Sequence, residues 1–448
     1  EKRDLILKGN LYKVIITLGL PIMLNNFIQT LFSLVDAYYV GQLGYEEFAA
    51  TAFVWPVSFL FISIGIGISI AGTSILSQYV GAEKYEEANK VSSQLLVITG
   101  VISVIFAVVG YILTPLIVSI MGATGNFDKY ASIYLQITFL GTPFMFLYFS
   151  FNSIMNSQGD TIKPTILSAI SALLNIALDP IFIFTLNLGV AGAAIATLIS
   201  RAVLAILGVI MLAKYSSIIR PSIKNFKFDK EIIKQLFKVG LPSAVGQSGS
   251  ALGFLVLNSF ILSYGSITMA AFGMVNRITS LVMQPAMGIG AAMTAIVGQN
   301  LGNNQTDRVK EAFKKSMSLS LYMSITGCIL LLIFDKEIIN FFIEAENNPE
   351  VISQGITYLK YIAYSMPLMG IFSIFQGIFQ GSGHTKYSMA MEIGRLWAVR
   401  IPMILMFKYL TAAGETGIWF SMSFSNLLVC LYGYWLYRRN KWQTRIIR

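Results

Sequence analysis

The chain has 448 residues, of which 55% are hydrophobic and only 12% charged, with a net charge of +10 and a mean hydropathy of +0.68. A soluble chain carries about a quarter charged residues, so this one cannot cover a water-facing surface and reads as a polytopic membrane protein. One histidine, His384, and two cysteines, Cys328 and Cys430, exclude a disulfide framework, a zinc cluster and most histidine-based catalysis, and no HExxH, GxSxG or paired His/Asp motif points to an enzyme.

Apolar runs of about 20 residues, each long enough to cross about 30 Å of hydrocarbon, recur from end to end. The first, within "EKRDLILKGNLYKVIITLGLP", lacks a small-residue cleavage site and is expected to persist as a helix rather than be cut as a signal peptide. Apolar length read against polar breaks predicts an all-α fold of twelve transmembrane helices. The first six run over 14–40, 51–79, 91–114, 131–157, 165–186 and 189–212. The second six run over 232–263, 270–299, 313–334, 352–380, 387–410 and 416–437. Residues 1–212 are therefore expected to form one six-helix lobe and 231–448 another, joined by a polar cytoplasmic linker at 213–230.

The two halves repeat. "GLP" at 19–21 recurs at 240–242, an offset of 221 that also pairs Gly44 with Gly265, Gly67 with Gly288, Thr73 with Thr294, Gln78 with Gln299 and Gly81 with Gly302. Six helices per half is an even number, so the repeats are expected to run parallel, as pseudo-symmetric bundles about an axis along the membrane normal. Transporters built from such repeats bind cargo near the repeat interface and rock one lobe against the other. The glycines of "GIGISIAGTS" and "GIGAAMTAIVG" let helices approach closely; no strand precedes them, so they do not form a nucleotide loop.

Of the 32 basic residues, 24 fall in the N-terminus, the central linker with the helix start that follows it (through Lys238), the C-terminal tail and alternate loops, against four (Lys129, Lys336, Lys360, Lys408) in the opposite loops. The positive-inside bias predicts that both termini are cytoplasmic in a cell membrane, and it accounts for the net charge without nucleic acid.

Polar residues inside the spans form stripes. Helix 1 carries Asn25, Gln29, Ser33 and Asp36 on one face; helix 4 carries Tyr148, Asn152 and Asn156; helix 5 carries Ser168, Ser171, Asn175 and Asp179; helix 6 adds Thr197, Ser200 and Arg201. In the second half Asn276, Ser280 and Gln284 align on helix 8, and Ser373, Gln376 and Gln380 on helix 10. Such stripes face a wet cavity or the bundle interior, because polar groups against lipid are costly. If helices 1, 5 and 6 are neighbours, Asp36, Asp179, Asn175 and Thr197 converge. That set offers the oxygen ligands a small hard cation such as Na⁺ takes, and it suits proton carriage, since apolar surroundings and a second carboxylate both favour binding a proton. Pro180 is expected to loosen its helix and free a carbonyl beside Asp179. The second half lacks equivalents, with Leu257 at the position paired to Asp36. Its charges are Arg277, Glu392, Arg395 and Arg400, and the i,i+3 spacing of Glu392 and Arg395 predicts a structural ion pair.

These residues carry a resemblance. "NIALDPIFIF" at 175–184, "LGVAGAAIATLIS" at 188–200, "LGLPIML" at 18–24, "VDAYYVGQLG" at 35–44 and "SQYVGAEKYEEA" at 77–88 together resemble the MATE (multidrug and toxic compound extrusion) transporters over essentially the whole chain. Among them it is most similar to DinF-type and MepA-like members. The resemblance implies a cation-coupling site at Asp36, Asn175, Asp179 and Thr197, with Tyr134 and Asn152 as further functional positions. Pro21 falls on a helix 1 proline that the family associates with bending on protonation. Gln29 and Asn156, with Asn152 and Tyr134, are expected to line the cavity. The aromatic one turn before the aspartate is Phe32 here rather than the DinF-type tyrosine, which removes a hydroxyl. NorM-type members use carboxylates in helices 7 and 10, and the corresponding segments here contain none. The expected function is efflux of amphipathic, chiefly cationic drugs in exchange for Na⁺ or H⁺, with no cofactor beyond the coupling ion, by a monomer among membrane lipids. The alternative is a lipid-linked saccharide flippase of the same superfamily, which would need a strongly basic central cavity.

Overall fold

The computed structural model describes residues 2–215, 218–342 and 349–447. Ser216 and Ser217 of the expected linker, residues 343–348 of the expected second lobe, and the two terminal residues lie outside the described residues.

A short helix, α1 (Lys2–Lys8), precedes α2 (Leu11–Gly41), α3 (Tyr45–Gly81) and α4 (Tyr85–Ile120). α5 (Gly125–Leu140) and α6 (Thr142–Ser157) are one span bent by 43° at Gly141. α7 (Ile162–Pro180) runs into a π-helical turn, Ile181–Thr185, and α8 (Val190–Lys214) closes the first half. The second half follows with α9 (Lys230–Leu262), α10 (Ser266–Gly302), α11 (Thr306–Ile333), a short α12 (Asp335–Phe342) and α13 (Pro349–Gly381). α14 (Thr385–Ile393), a π-helical stretch (Gly394–Arg400) and α15 (Ile401–Leu410) make one interrupted path, and α16 (Glu415–Arg438) ends the bundle.

Among the described residues nine helices are individually long and apolar enough to cross a membrane, and the bent α5–α6 pair makes a tenth. The other two expected spans are the π-interrupted path through residues 385–410 and α16, whose apolar run is broken by buried Ser421, Ser425 and Asn426. The twelve-helix, two-lobe arrangement therefore holds. Several helices outrun their expected limits: α4 begins at Tyr85 and ends at Ile120, because helical hydrogen bonding continues into the polar flanks.

The repeat extends from sequence to backbone. α3 and α10 start 221 residues apart (45 and 266) and end 221 apart (81 and 302). Each starts after a glycine with positive φ, Gly44 at 148° and Gly265 at 119°. Each is followed by a left-handed residue at the same offset, Glu83 at 59° and Asn304 at 58°.

The halves are interleaved rather than merely adjacent. α2 packs on α10, α9 packs on α3, and α3 and α10 pack on each other. Glycine permits each crossing. Gly67 lies against the backbone of Ala244, and its repeat Gly288 against Met23 and the Gly19 carbonyl. Farther along, Gly81 meets the carbonyl of Gln299, while Gly302 meets that of Gln78. As a result Leu11, Val14, Ile15 and Leu18 of α2 join the core of the second half, and Leu236 and Val239 of α9 join the core of the first.

Both termini close over this end. The last carbonyls of a helix lack intrahelical donors. Arg3 donates to the carbonyls of Val80 and Gly81, each at 2.9 Å, and Arg445 to that of Gly302 at 2.8 Å. Arg308 holds α1 through the carbonyls of Ile6 (3.0 Å) and Gly9 (2.6 Å), and Gln78 Oε1 accepts from the Ile446 amide at 2.8 Å. Asp160, in the turn between α6 and α7, pairs with Lys2 at 2.9 Å and Lys163 at 3.3 Å. Burial pushes its carboxyl up, but the hydrogen bond from Lys2, the Lys163 amide and the two ammonium charges outweigh burial and hold it below its ordinary value.

Two outcomes are expected. A methyl group at Gly81 or Gly302 strikes backbone, so G81A and G302A should each cost about 1–3 kcal/mol through overpacking. G100A, with nothing within 4 Å of the added carbon, should be neutral or gain up to about 1 kcal/mol of helix propensity; thermal unfolding in detergent separates the cases. Because the Asp160 pKa is lowered in the folded state, its stabilisation is complete above the ordinary carboxylate range and is lost as pH falls through its folded value. D160N should therefore lower Tm at neutral pH, and the gap to the unmodified protein should close on acidification.

Candidate functional site

Three polar stripes meet in the first half. α2 packs on α7, and α7 on α8. Where Pro21 interrupts α2, Thr161 and Thr165 donate to the carbonyls of Leu18 (3.0 Å) and Pro21 (2.9 Å), tying α2 to the start of α7. One to two turns on, Gln29 donates to Ser168, and Ser171 donates to the Ser200 carbonyl at 3.0 Å. Together with α6 these faces enclose a cavity of about 240 Å³ lined by Gln29, Tyr148, Asn152, Asn175, Thr197 and Arg201 among others.

Next to Asn175 and Thr197, the carboxyl groups of Asp36 and Asp179 are close neighbours, and each acts electrostatically on the other. Asp179 and Asn175 are each 1% exposed. With the Asn175 amide turned to satisfy both neighbours, its nitrogen donates to the Asp179 oxygens at 3.1 and 3.2 Å and its oxygen accepts from Thr197 Oγ1 at 3.1 Å. Asp36 Oδ1 is buried and has no hydrogen-bond partner. Pro180 ends α7 immediately after Asp179, and the backbone continues as a π turn. Gly192 lies against the Phe182 carbonyl of that turn, which brings α8 close enough to place Thr197 beside Asn175.

The four residues of the expected cation set, Asp36, Asn175, Asp179 and Thr197, are thus adjacent. The expected cavity-lining set separates. Gln29 lines the first-half cavity. Asn156, with an unpartnered Oδ1, lines a different and larger cavity of about 470 Å³ between the halves. Asn152 lines both. Tyr134 is on the wall of neither of these two cavities; it packs against the hydrophobic cluster that contains Leu135 and Phe139, where it feels the charges of Asp36, Asp179 and Arg201. Arg201 also acts electrostatically on Asp36 without forming an ion pair with either aspartate among the described residues. Its role beside the carboxylates was not apparent from sequence, although its place one turn after Thr197 on the same stripe is a usable signal.

The second half overturns one expectation. Glu392 and Arg395 form no ion pair among the described residues. The π-helical stretch begins at Gly394, between them, and changes the angle at which Arg395 leaves the helix. Glu392 instead accepts from Ser250 Oγ, and the Arg395 guanidinium lies 4.4 Å from the Phe372 ring centroid. Arg400 is buried and satisfied by Ser425 and Asn426, both at 2.9 Å, with the Met422 carbonyl at 3.4 Å. Arg277 is exposed on α10.

The MatE family model matches residues 21–181 and 242–406. Among similar proteins, the probable multidrug resistance protein YoeA of Bacillus subtilis is 29% identical over 96% of this chain and 94% of its own length. The multidrug export protein MepA of Staphylococcus haemolyticus is 27% identical over 93% of this chain and 90% of its own. A solved outward-facing conformation of a multidrug resistance MATE transporter superposes with a TM-score of 0.92 at 26% identity, covering 98% of each chain. A Pyrococcus furiosus transporter, whose reversed pocket polarity was taken to suggest a different function, superposes at 0.93 with 26% identity and 98% of each chain.

N175L strips both Asp179 oxygens of their donor and should cost about 1–3 kcal/mol. T197V removes a hydroxyl but leaves the Asn175 nitrogen on Asp179, so thermal unfolding should show a smaller loss.

Proposed function

The chain belongs to the MatE family, whose members are transporters and not enzymes, and on that premise we propose that it is a secondary antiporter that expels amphipathic, chiefly cationic compounds in exchange for Na⁺ or H⁺. The observation that carries this reading is the Asp36–Asp179 contact. Two carboxylates held together away from water need a positive charge between them, and among the described residues no side chain supplies it by direct pairing. A proton shared between the carboxyls meets that need. So does a sodium ion held by Asp36, Asp179, Asn175 and Thr197, all of which offer hard oxygen atoms. The ion is cargo, and the orphaned Oδ1 of Asp36 is the acceptor left free for it.

Coupling to drug follows from position. Asn152 stands in the wall between the first-half cavity and the larger cavity between the halves, so a compound in one is felt in the other. The larger cavity has Met283, Met287, Phe149 and Phe372 on its walls, an apolar lining that accepts varied amphipathic molecules. The positive-inside bias supports a cytoplasmic position for the sealed, terminus-bearing end in a cell membrane, and with it an outward-facing state; the reading takes the protein to act as a monomer among lipids. Pro21 and Pro180 are the points where α2 and α7 bend as the site empties and fills. A lipid-linked saccharide flippase fits less well: Arg395 shares the central cavity with Glu392, and Arg277 and Arg400 are not on its wall.

In proteoliposomes with separately imposed sodium and proton gradients, one of the two should drive efflux of rhodamine 6G. D36N and D179N should each abolish the driven component while the purified proteins keep a cooperative thermal transition. Undiminished driven efflux in both variants would contradict the assignment.

A further inference from the structure

Arg395 is 6% exposed and lines the central cavity of about 470 Å³. A guanidinium presents five N–H donors, and this one uses a single donor, from Nη1 to the Met369 sulfur at 3.5 Å. A thioether is a weak acceptor. Nε is buried without any partner, and no ion pair reaches the group among the described residues. One face of the guanidinium rests on the Phe372 ring, so Met369 and Phe372 of α13 hold its plane, with Nε against protein and the Nη end left for the cavity. A charge kept inside the protein without a matching acceptor is costly, and five residues on the same path shows how a structural arginine is treated: Arg400 is enclosed by Ser425, Asn426 and a carbonyl. Arg395 has no such enclosure. Glu392 lies on the same wall and is oriented by Ser250. Gln376 and Gln380 add neutral amides, while Met283 and Met287 keep the surroundings apolar.

We propose that Arg395 is a cargo-binding residue that takes a carboxylate, so that the compounds carried include amphipathic acids and, with Glu392 meeting an amine, amphipathic zwitterions. A carboxylate matches the planar fork of a guanidinium, and bidentate pairing in an apolar cavity is strong. The proposal rests on the reading of the chain as an exporter and names a class of cargo for it.

The test is equilibrium binding to the purified full-length protein in detergent, without gradients, followed by fluorescence anisotropy. The probes are rhodamine 19, which has a free carboxylate, and its ethyl ester rhodamine 6G, at a pH where the acid is ionised. R395Q should weaken rhodamine 19 by at least about tenfold and leave rhodamine 6G within about twofold. R395K, which keeps the charge but loses the fork, should fall between. E392Q should shift the acid-to-ester preference towards the acid. Equal shifts for both dyes in R395Q, or none, would overturn the proposal. Should R395Q not purify as a folded protein, an unchanged acid-to-ester preference in E392Q overturns it instead. Since no ion flux enters the measurement, failure of gradient-driven efflux would count against the antiport reading alone.

Discussion

Two helices that touch backbone to backbone set the terms for the rest of the molecule. α3 and α10 meet where Gly81 faces Gln299 and Gly302 faces Gln78, positions related by the internal repeat, and only glycine allows the approach. The same repeat places Gly67 against α9 and Gly288 against α2. Each half therefore draws the first long helix of the other into its core. Sealing one end in this way leaves the central cavity beyond it, bounded by both halves. The arginines at the termini then satisfy carbonyls that the helix ends leave without donors.

This crossing links the proposed ion site to the interface through one element. α2 meets α10 at Gly19, contains Pro21 and carries Asp36 about four turns after it. Whatever occupies the space between Asp36 and Asp179 thus acts on a helix that is also part of the opposite core. Division of labour between the halves follows the side chains. The first concentrates paired carboxylates, an amide and a hydroxyl. Among the described residues the second shows no such carboxylate pair, and it presents Arg395 and Glu392 to the central cavity. Asn152 stands between the two spaces.

Much of this was legible in the sequence because it depends on helical periodicity. The stripes on helices 1, 5 and 6 follow from spacings of three and four, and the structure turns them towards one another. The offset of 221 was legible too, but not that the paired glycines touch each other's helices, since a repeat says nothing about which copies are neighbours. Three points were hidden for identifiable reasons. The Glu392–Arg395 pair presupposed an unbroken α-helix, and the π-helical stretch at Gly394–Arg400 invalidates that geometry. Arg201 lies 22 residues after Asp179 on another helix, so its field at the carboxylates depends on tertiary packing. Tyr134 shares the neighbourhood of the aspartates without reaching either cavity, because the bend at Gly141 gives the two halves of its span different facings.

The central claim is that Asp36 and Asp179 hold a cation that cargo displaces. Its most direct measurement is the number of cations released when rhodamine 6G binds the purified protein, read with a proton indicator in weak buffer and a sodium-selective electrode. The account predicts release of about one H⁺ or one Na⁺ per dye bound, and none from D36N or D179N. Dye binding to the unmodified protein with release of neither cation would contradict it.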